Sequence, residues 1–172
     1  KKELIEGCIT SLINSANQCK NKINIIVLDD HSSQEFLHNL HNILKTSRHS
    51  IKIISLEEGG PNQSALSQFE YCKNSTADLV YSVEDDYLHS PSALYEMLSE
   101  YDYVSSKYNL PQPLCIFPWD EPETYDPKHN TPELIMRGQY RHWKTGWGTT
   151  YTMMTSPKVF HNHWNLFGKL AT

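Results

Sequence analysis

Several features that would assign this chain to a broad class are absent from its 172 residues. No apolar run approaches the roughly 20 residues that a membrane-spanning helix needs. The first residues also lack the charged and apolar regions of a signal peptide. The formal net charge is −5, whereas a general nucleic-acid-binding protein needs a basic face. The composition therefore predicts a globular protein with no membrane segment and no nucleic-acid partner.

Cysteine is scarce, and no two cysteines lie close together in the chain. The four residues are Cys8, Cys19, Cys72 and Cys115. This spacing excludes a zinc knuckle, and a disulfide framework would be unusual in a domain of this size. We expect buried, reduced thiols, which favour a reducing compartment, and we predict a cytoplasmic location.

Strands and helices are predicted to alternate along the chain, which is long enough for one domain with a proper core. The predicted strands are residues 23–28, 51–56, 79–83, 114–117 and 149–155. The predicted helices are residues 3–16, a helix that starts at a capping box of Ser32 and Glu35, residues 64–72, and residues 91–103 with Ser90 as N-cap. Residues 118–143 are predicted to form a long polar loop region. This order predicts an α/β domain whose mostly parallel sheet is covered by helices on both faces.

Two of the predicted strands end in consecutive carboxylates. Asp29 and Asp30 follow the first strand, and Glu84, Asp85 and Asp86 follow the third. Ligands of open α/β sheets collect beyond the carboxyl ends of the strands. Grouped carboxylates repel one another unless a cation neutralises them, and a hard divalent ion is the natural partner. The alternative interpretation is an acidic surface turn at each strand end, which favours the N-terminus of the next helix.

These motifs resemble those of glycosyltransferases with the GT-A fold, a Rossmann-like fold, especially the family 2 type. The Asp-Asp-x-Ser motif stands at residues 29–32, a Gly-Gly-Pro-Asn segment at residues 59–62, and a DxD-type motif at residues 84–86. The Glu-Asp-Asp form of the last motif is similar to the variant in the N-acetylglucosaminyltransferase I family. The similarity covers residues 3–100, with a looser match at the Gly-Trp-Gly-Thr sequence of residues 146–149.

The resemblance implies a role for each acidic residue. Asp30 would accept a hydrogen bond from the uracil ring of a nucleotide-sugar donor, and Asp85 would contact the ribose. Asp86 would bind Mn²⁺ or Mg²⁺ at the diphosphate, and Glu84 would act through the water shell of the metal. A divalent cation there would stabilise the negative charge of the departing diphosphate as a Lewis acid.

The resemblance also implies the domain organisation and the reaction. We predict a single GT-A-like domain over residues 1–172, and we expect a first strand before Lys1. Residues 1–104 would form the nucleotide-sugar-binding half, and residues 105–172 would form an acceptor-side half that is incomplete at its C-terminal end. The predicted enzyme is a metal-dependent glycosyltransferase that moves a sugar from a UDP-sugar to a hydroxyl of a saccharide or another acceptor, with inversion.

An inverting transferase needs a carboxylate that takes the proton from the acceptor hydroxyl. In the family that this chain resembles, the base falls at or beyond Thr172. The candidates within the chain are Asp120 and Glu121, with Glu123 and Asp126 nearby, and all four also suit a solvated loop.

The last third of the chain contains two further candidate contacts. Trp147, which follows Gly146, is suited to stacking on a sugar face, and it is equally suited to a core position between turn glycines. A basic cluster could hold an anionic acceptor or the diphosphate, or offset nearby acids. It comprises Arg137, Arg141, His142 and Lys144.

Three other functions remain open at the level of sequence. A nucleotidyltransferase of related fold would need a Gly-rich, basic phosphate loop near its N-terminus, which is not seen here. A non-catalytic nucleotide-sugar-binding protein would lack the base. A phospho-receiver domain also places acids at two strand ends, but no Lys-Pro pair follows a late strand here.

Overall fold

The computed structural model describes residues 2–109, 114–118, 134–146 and 151–170. The helices are α1 (Lys2–Ala16), α2 (Gln34–Leu44), α3 (Pro61–Lys73), α4 (Ala93–Tyr108), α5 (Pro157–Asn162) and α6 (Trp164–Leu170). The strands are β1 (Asn24–Asp29), β2 (Ser50–Ser55), β3 (Val80–Ser82), β4 (Ile135–Arg137), β5 (His142–Lys144) and β6 (Met153–Thr155). No helix in these ranges is long and apolar enough to cross a membrane.

The parallel strand pair expected from the alternation is β1 with β2. Their register runs from Asn24 opposite Ser50 to Asp29 opposite Ser55. Helix α2 makes the crossover between them, as parallel strands require. Both strands therefore end at the same edge of the sheet, with Asp29 at the end of β1.

The later strands pair antiparallel. Strand β3 pairs with β6, with Val80 opposite Thr155, and Ile116 forms a bridge to Met154 on the other edge of β6. The predicted strand at 114–117 is thus reduced to a single bridge. Of the predicted strand at 149–155, Met153–Thr155 is confirmed, and its first two residues lie outside the described ranges.

The described part of the predicted loop region 118–143 contains two short strands. Strands β4 and β5 form an antiparallel hairpin, with Ile135 opposite Lys144 and Arg137 opposite His142. Both strands have only three residues, which is too short for an alternating pattern to stand out in the sequence.

Helix α1 begins one residue before its predicted start, and three further helices also begin at other residues than predicted. The N-cap of α2 is Ser33 rather than Ser32, and its Oγ accepts from Phe36 N at 3.3 Å. Ser32 lies in the preceding turn, where its N–H donates to Oδ1 of Asp29. Helix α3 begins at Pro61 rather than residue 64. Helix α4 begins at Ala93 rather than residue 91, after a turn in which the Ala93 amide donates to the Ser90 carbonyl at 3.0 Å.

The core fixes α3 against the end of the chain. Phe69 of α3 is fully buried, and its ring lies 5.4 Å from Tyr151, 5.6 Å from Phe160 and 5.2 Å from Phe167, measured between ring centroids. Aromatic pairs at these distances add to the stability gained by burial. The position of α3 therefore depends on α5 and α6.

The cysteines are free thiols, as expected. Cys8, Cys19 and Cys72 are buried and Cys115 is half-buried. Burial raises the pKa of Cys72 to about 12, so this side chain stays a thiol at neutral pH.

Candidate functional site

The two acids at the end of β1 have different surroundings. Asp29 is buried and accepts a hydrogen bond from Ser32 N, so it shapes the turn that leads to α2. Asp30 is exposed, and its Oδ2 accepts hydrogen bonds from Gly60 N at 2.9 Å and from Ser64 Oγ at 3.2 Å. Asp30 therefore joins the end of β1 to the start of α3.

The neighbours of Asp30 keep it ionised. The side chain of His31 lies with Nδ1 3.0 Å from Oδ1 of Asp30. The hydrogen bond from His31 and the one from the Gly60 amide hold the pKa of Asp30 below its usual value. A carboxylate in this state only accepts hydrogen bonds, so a ligand here must donate.

The glycine segment before α3 approaches Asp30 too closely for any larger residue. A Cβ atom on Gly59 would lie 2.6 Å from Oδ1 of Asp30 and 3.1 Å from Nδ1 of His31. Gly60 has φ 111°, a conformation that L side chains rarely adopt. Both glycines are therefore needed for the contact with Asp30.

The acidic triplet follows β3 and divides into an anchored and an exposed part. Glu84 N donates to Thr152 Oγ1 at 3.1 Å, and Thr152 Oγ1 lies 3.3 Å from Oε2 of Glu84. Asp85 and Asp86 are exposed in the following turn. Their charges add to the effect of burial in raising the pKa of Cys8, so this turn lies near α1.

Helix α3 contacts both acidic strand ends. Ser64 donates to Asp30, and Gln68 donates from Nε2 to the carbonyl of Val83 at 3.0 Å, one residue before Glu84. Residues four apart lie on the same helix face, about 6 Å apart along the axis. The structure thus brings Asp30 and the start of the acidic triplet to one face of α3.

The described residues do not form a protein cage for a metal. No group of three or more His, Cys, Asp or Glu side chains in these ranges is close enough to hold an ion. Mg²⁺ usually needs only one or two carboxylates, because substrate phosphates and water complete its coordination. Asp85 and Asp86 are suited to a site of this kind, in which one or two carboxylates bind the ion together with phosphates and water.

A comparison with protein families identifies the chain. The family described as Glycosyl transferase family 2 matches residues 1–168. The chain belongs to this family. It is therefore a glycosyltransferase with the GT-A, Rossmann-like α/β fold, which decides against the phospho-receiver and nucleotidyltransferase interpretations. No match was found among curated proteins or among solved structures.

Several predicted contacts of this glycosyltransferase stay predictions. Gly146 is exposed two residues after β5. Trp147 lies outside the described residues, as do the candidate bases Asp120 and Glu121 with their neighbours Glu123 and Asp126.

A cavity of about 780 Å³ lies beside the acidic triplet of the transferase. The segment 87–90, which directly follows Asp86, forms one side, and the residues from Arg141 to Gly146 form another. Inside it, the hydroxyl of Tyr81 lies 3.0 Å from Nε2 of His89, and burial lowers the pKa of His89. Sequence analysis missed His89, because a single histidine in a loop carries no motif.

The hairpin beside this cavity is attached to α4 by carboxylates. Glu100 is fully buried and accepts from Gln139 N at 2.9 Å and from Tyr140 N at 2.5 Å. Glu96 accepts from Nε of Arg141 at 2.5 Å, and this contact lowers the pKa of Glu96. The basic cluster therefore has one of its cations paired within the protein.

Proposed function

We propose that this family 2 glycosyltransferase takes a UDP-sugar as donor, with Mn²⁺ or Mg²⁺, and transfers the sugar to an acceptor hydroxyl with inversion. The observation that carries the proposal is the contact of α3 with both acidic strand ends, through Ser64 and Gln68. One nucleoside diphosphate can span two sites separated by about one helical turn.

In this proposal each acid has the role that the motif implies. Asp30 accepts a hydrogen bond from the N–H of the uracil ring, and its lowered pKa supports an ionised acceptor at neutral pH. Asp85 contacts the ribose, Asp86 holds the metal, and Glu84 supports it through water. The metal, when bound, supplies charge stabilisation to the diphosphate.

The proposed reaction is a single displacement. The acceptor oxygen forms a bond to the anomeric carbon, while the bond from that carbon to the phosphate oxygen breaks. The bonding electron pair leaves with the nucleoside diphosphate, and the hydroxyl proton passes to a carboxylate base. Asp120 and Glu121 remain the proposed bases within this chain, and Gly146 and Trp147 remain proposed contacts of the sugar or acceptor.

The free thiols support a proposal for the cell compartment. Four free cysteines support a reducing compartment, and we propose the cytoplasm.

Thermal stability in the presence of UDP tests the proposal. We expect UDP to raise the melting temperature only when Mn²⁺ is present, and we expect Asp86→Asn to remove this metal-dependent increase. Asp78→Asn is the matched control, because Asp78 is equally exposed but precedes β3 rather than following it. Equal effects of UDP with and without metal, or equal effects of the two variants, would contradict the proposal.

A further inference from the structure

Apolar side chains make up a large part of the described lining of the cavity beside the acidic triplet. Three apolar lining residues are buried, namely Met97, Val104 and Ile116. Phe117 and Trp143 are half-buried, and Leu88 is exposed. The cavity volume of about 780 Å³ lies within the range of small-molecule sites.

Several of the charged and hydroxyl groups of the described lining are bonded within the protein. Tyr81 is hydrogen-bonded to His89, and Glu96 is bonded to Arg141 at 2.5 Å. Among the described residues, Nε1 of Trp143 is a buried nitrogen of the lining that has no hydrogen-bond partner. Such a lining can form hydrogen bonds with only one or two hydroxyl groups of a ligand.

A free saccharide would match this cavity poorly. It carries hydroxyls on all sides, and each hydroxyl that is buried without a partner weakens binding. An alkyl or aryl group needs no hydrogen bonds and gains affinity in proportion to its buried area. The lining therefore favours a ligand with an apolar part.

One wall of the cavity is held in place by α4. Glu100 binds two backbone amides of the turn between β4 and β5, and Glu96 binds Arg141. Gly138 has no room for a Cβ atom, because it lies against the Glu100 carboxylate and the Arg141 carbonyl. A preformed wall lowers the entropic cost of binding.

Resting on the proposed function, we infer that this cavity binds the acceptor and that the acceptor carries an apolar alkyl or aryl group that fills it. The position of the cavity identifies the occupant, because segment 87–90 connects its lining directly to Asp86. A hydroxyl at the polar end of such an acceptor would lie toward the acidic triplet, where the donor is proposed to bind.

The test is a series of methyl, butyl, hexyl and octyl β-D-glucopyranosides, all below their micelle concentrations. Calorimetry with the full chain, with and without UDP and Mn²⁺, measures their affinities. We expect affinity to rise about fourfold for each further buried methylene until the cavity is full. Equal affinities across the series would overturn the inference.

Two pairs of variants locate the effect. Ala93 lines the cavity, so Ala93→Trp should remove the dependence on chain length, whereas Ala77→Trp, at an exposed position outside the lining, should keep it. Leu88 is 71% exposed and lines the cavity, while Leu134 is 68% exposed and does not. Leu88→Ala should weaken octyl glucoside several-fold and fold normally, and Leu134→Ala should have no effect.

The outcomes separate this inference from the proposed function. Metal-dependent binding of UDP without a chain-length effect keeps the donor proposal and overturns the acceptor inference. If affinity rises with the length of the alkyl chain but UDP does not bind, the assignment of the cavity to an acceptor is overturned, because the protein would then bind no donor to react with it. A chain-length effect that survives Ala93→Trp and Leu88→Ala places the ligand elsewhere and overturns the inference as well.

Discussion

The part of this glycosyltransferase that is proposed to bind the donor (the donor side) and the part that is proposed to bind the acceptor (the acceptor side) are held in place in different ways. On the donor side, Asp30 is exposed and reaches the glycine segment and α3 by hydrogen bonds. On the acceptor side, Glu100 is fully buried and accepts hydrogen bonds from two backbone amides of the β4–β5 turn. The first arrangement leaves its carboxylate available to a ligand, whereas the second uses its carboxylate for structure. Changes on the donor side should therefore affect binding, and changes at Glu100 should affect folding.

The largest effect is expected at the acidic triplet. Asp86→Asn should lower kcat/KM about 100- to 1000-fold, because the cation proposed to stabilise the departing diphosphate loses its carboxylate ligand. The free energy of unfolding should change little, since Asp86 is exposed. Steady-state transfer assays and urea denaturation measure the two quantities, with Asp78→Asn as control. A loss of stability as large as the loss of rate would assign Asp86 to the structure instead.

The next effect is expected at the hairpin. Glu100→Ala should lower the free energy of unfolding by about 3 kcal/mol, because two backbone amides lose their acceptor at a buried site. Urea denaturation measures it, and Glu70→Ala, at an exposed position on α3, is the control. Affinity for UDP, measured on the folded fraction, should stay unchanged. Weaker binding of UDP would contradict the separation of the two sides.

A smaller effect is expected at the glycine segment. Gly59→Ala should weaken nucleotide binding several-fold, because the added Cβ would displace Asp30 from a distance of 2.6 Å. Calorimetry with UDP and Mn²⁺ measures this change. Gly7→Ala is the matched control, since nothing lies within 4 Å of a Cβ at that position. Equal UDP affinities of the two variants would contradict the proposal that Asp30 contacts the donor.

The smallest effect concerns acid stability. The pKa of Asp30 is lower in the folded protein than its usual value of 3.8. Its contribution to stability is therefore fully present above about pH 4 and is lost as the pH falls through the lowered pKa. Asp30→Asn should lower the melting temperature slightly at neutral pH, where the contribution is present, and leave it unchanged below the lowered pKa, where the contribution is already lost. Melting curves of both proteins from neutral to acid pH measure this difference, and an equal difference at all pH values would contradict this account.

The donor side could largely be predicted from the sequence, because its signals are local. The apolar run before Asp29 and Asp30 and the one before Glu84 mark the strand ends, and helical spacing marks α1. The helix starts were displaced by one to three residues, since Ser32 and Ser90 take part in turns that compete with capping. Such turns depend on contacts that no short motif encodes.

The acceptor side could not be predicted in this way. The hairpin has strands of three residues, and its support comes from Glu100, about forty positions earlier in the chain. A single glutamate within a helix gives no sign that it is buried. His89 and Arg141 likewise acquire their meaning only from partners on other elements.

The aromatic contacts of Phe69 connect α5 and α6 to the helix that carries proposed donor contacts. Phe160 and Phe167 touch Phe69, and the same helix carries Ser64 and Gln68. Damage to α5 or α6 should shift α3 and with it the two contacts that α3 makes to the acidic strand ends. If UDP binds as proposed, its affinity should then fall through lesions in helices that carry none of the proposed donor contacts.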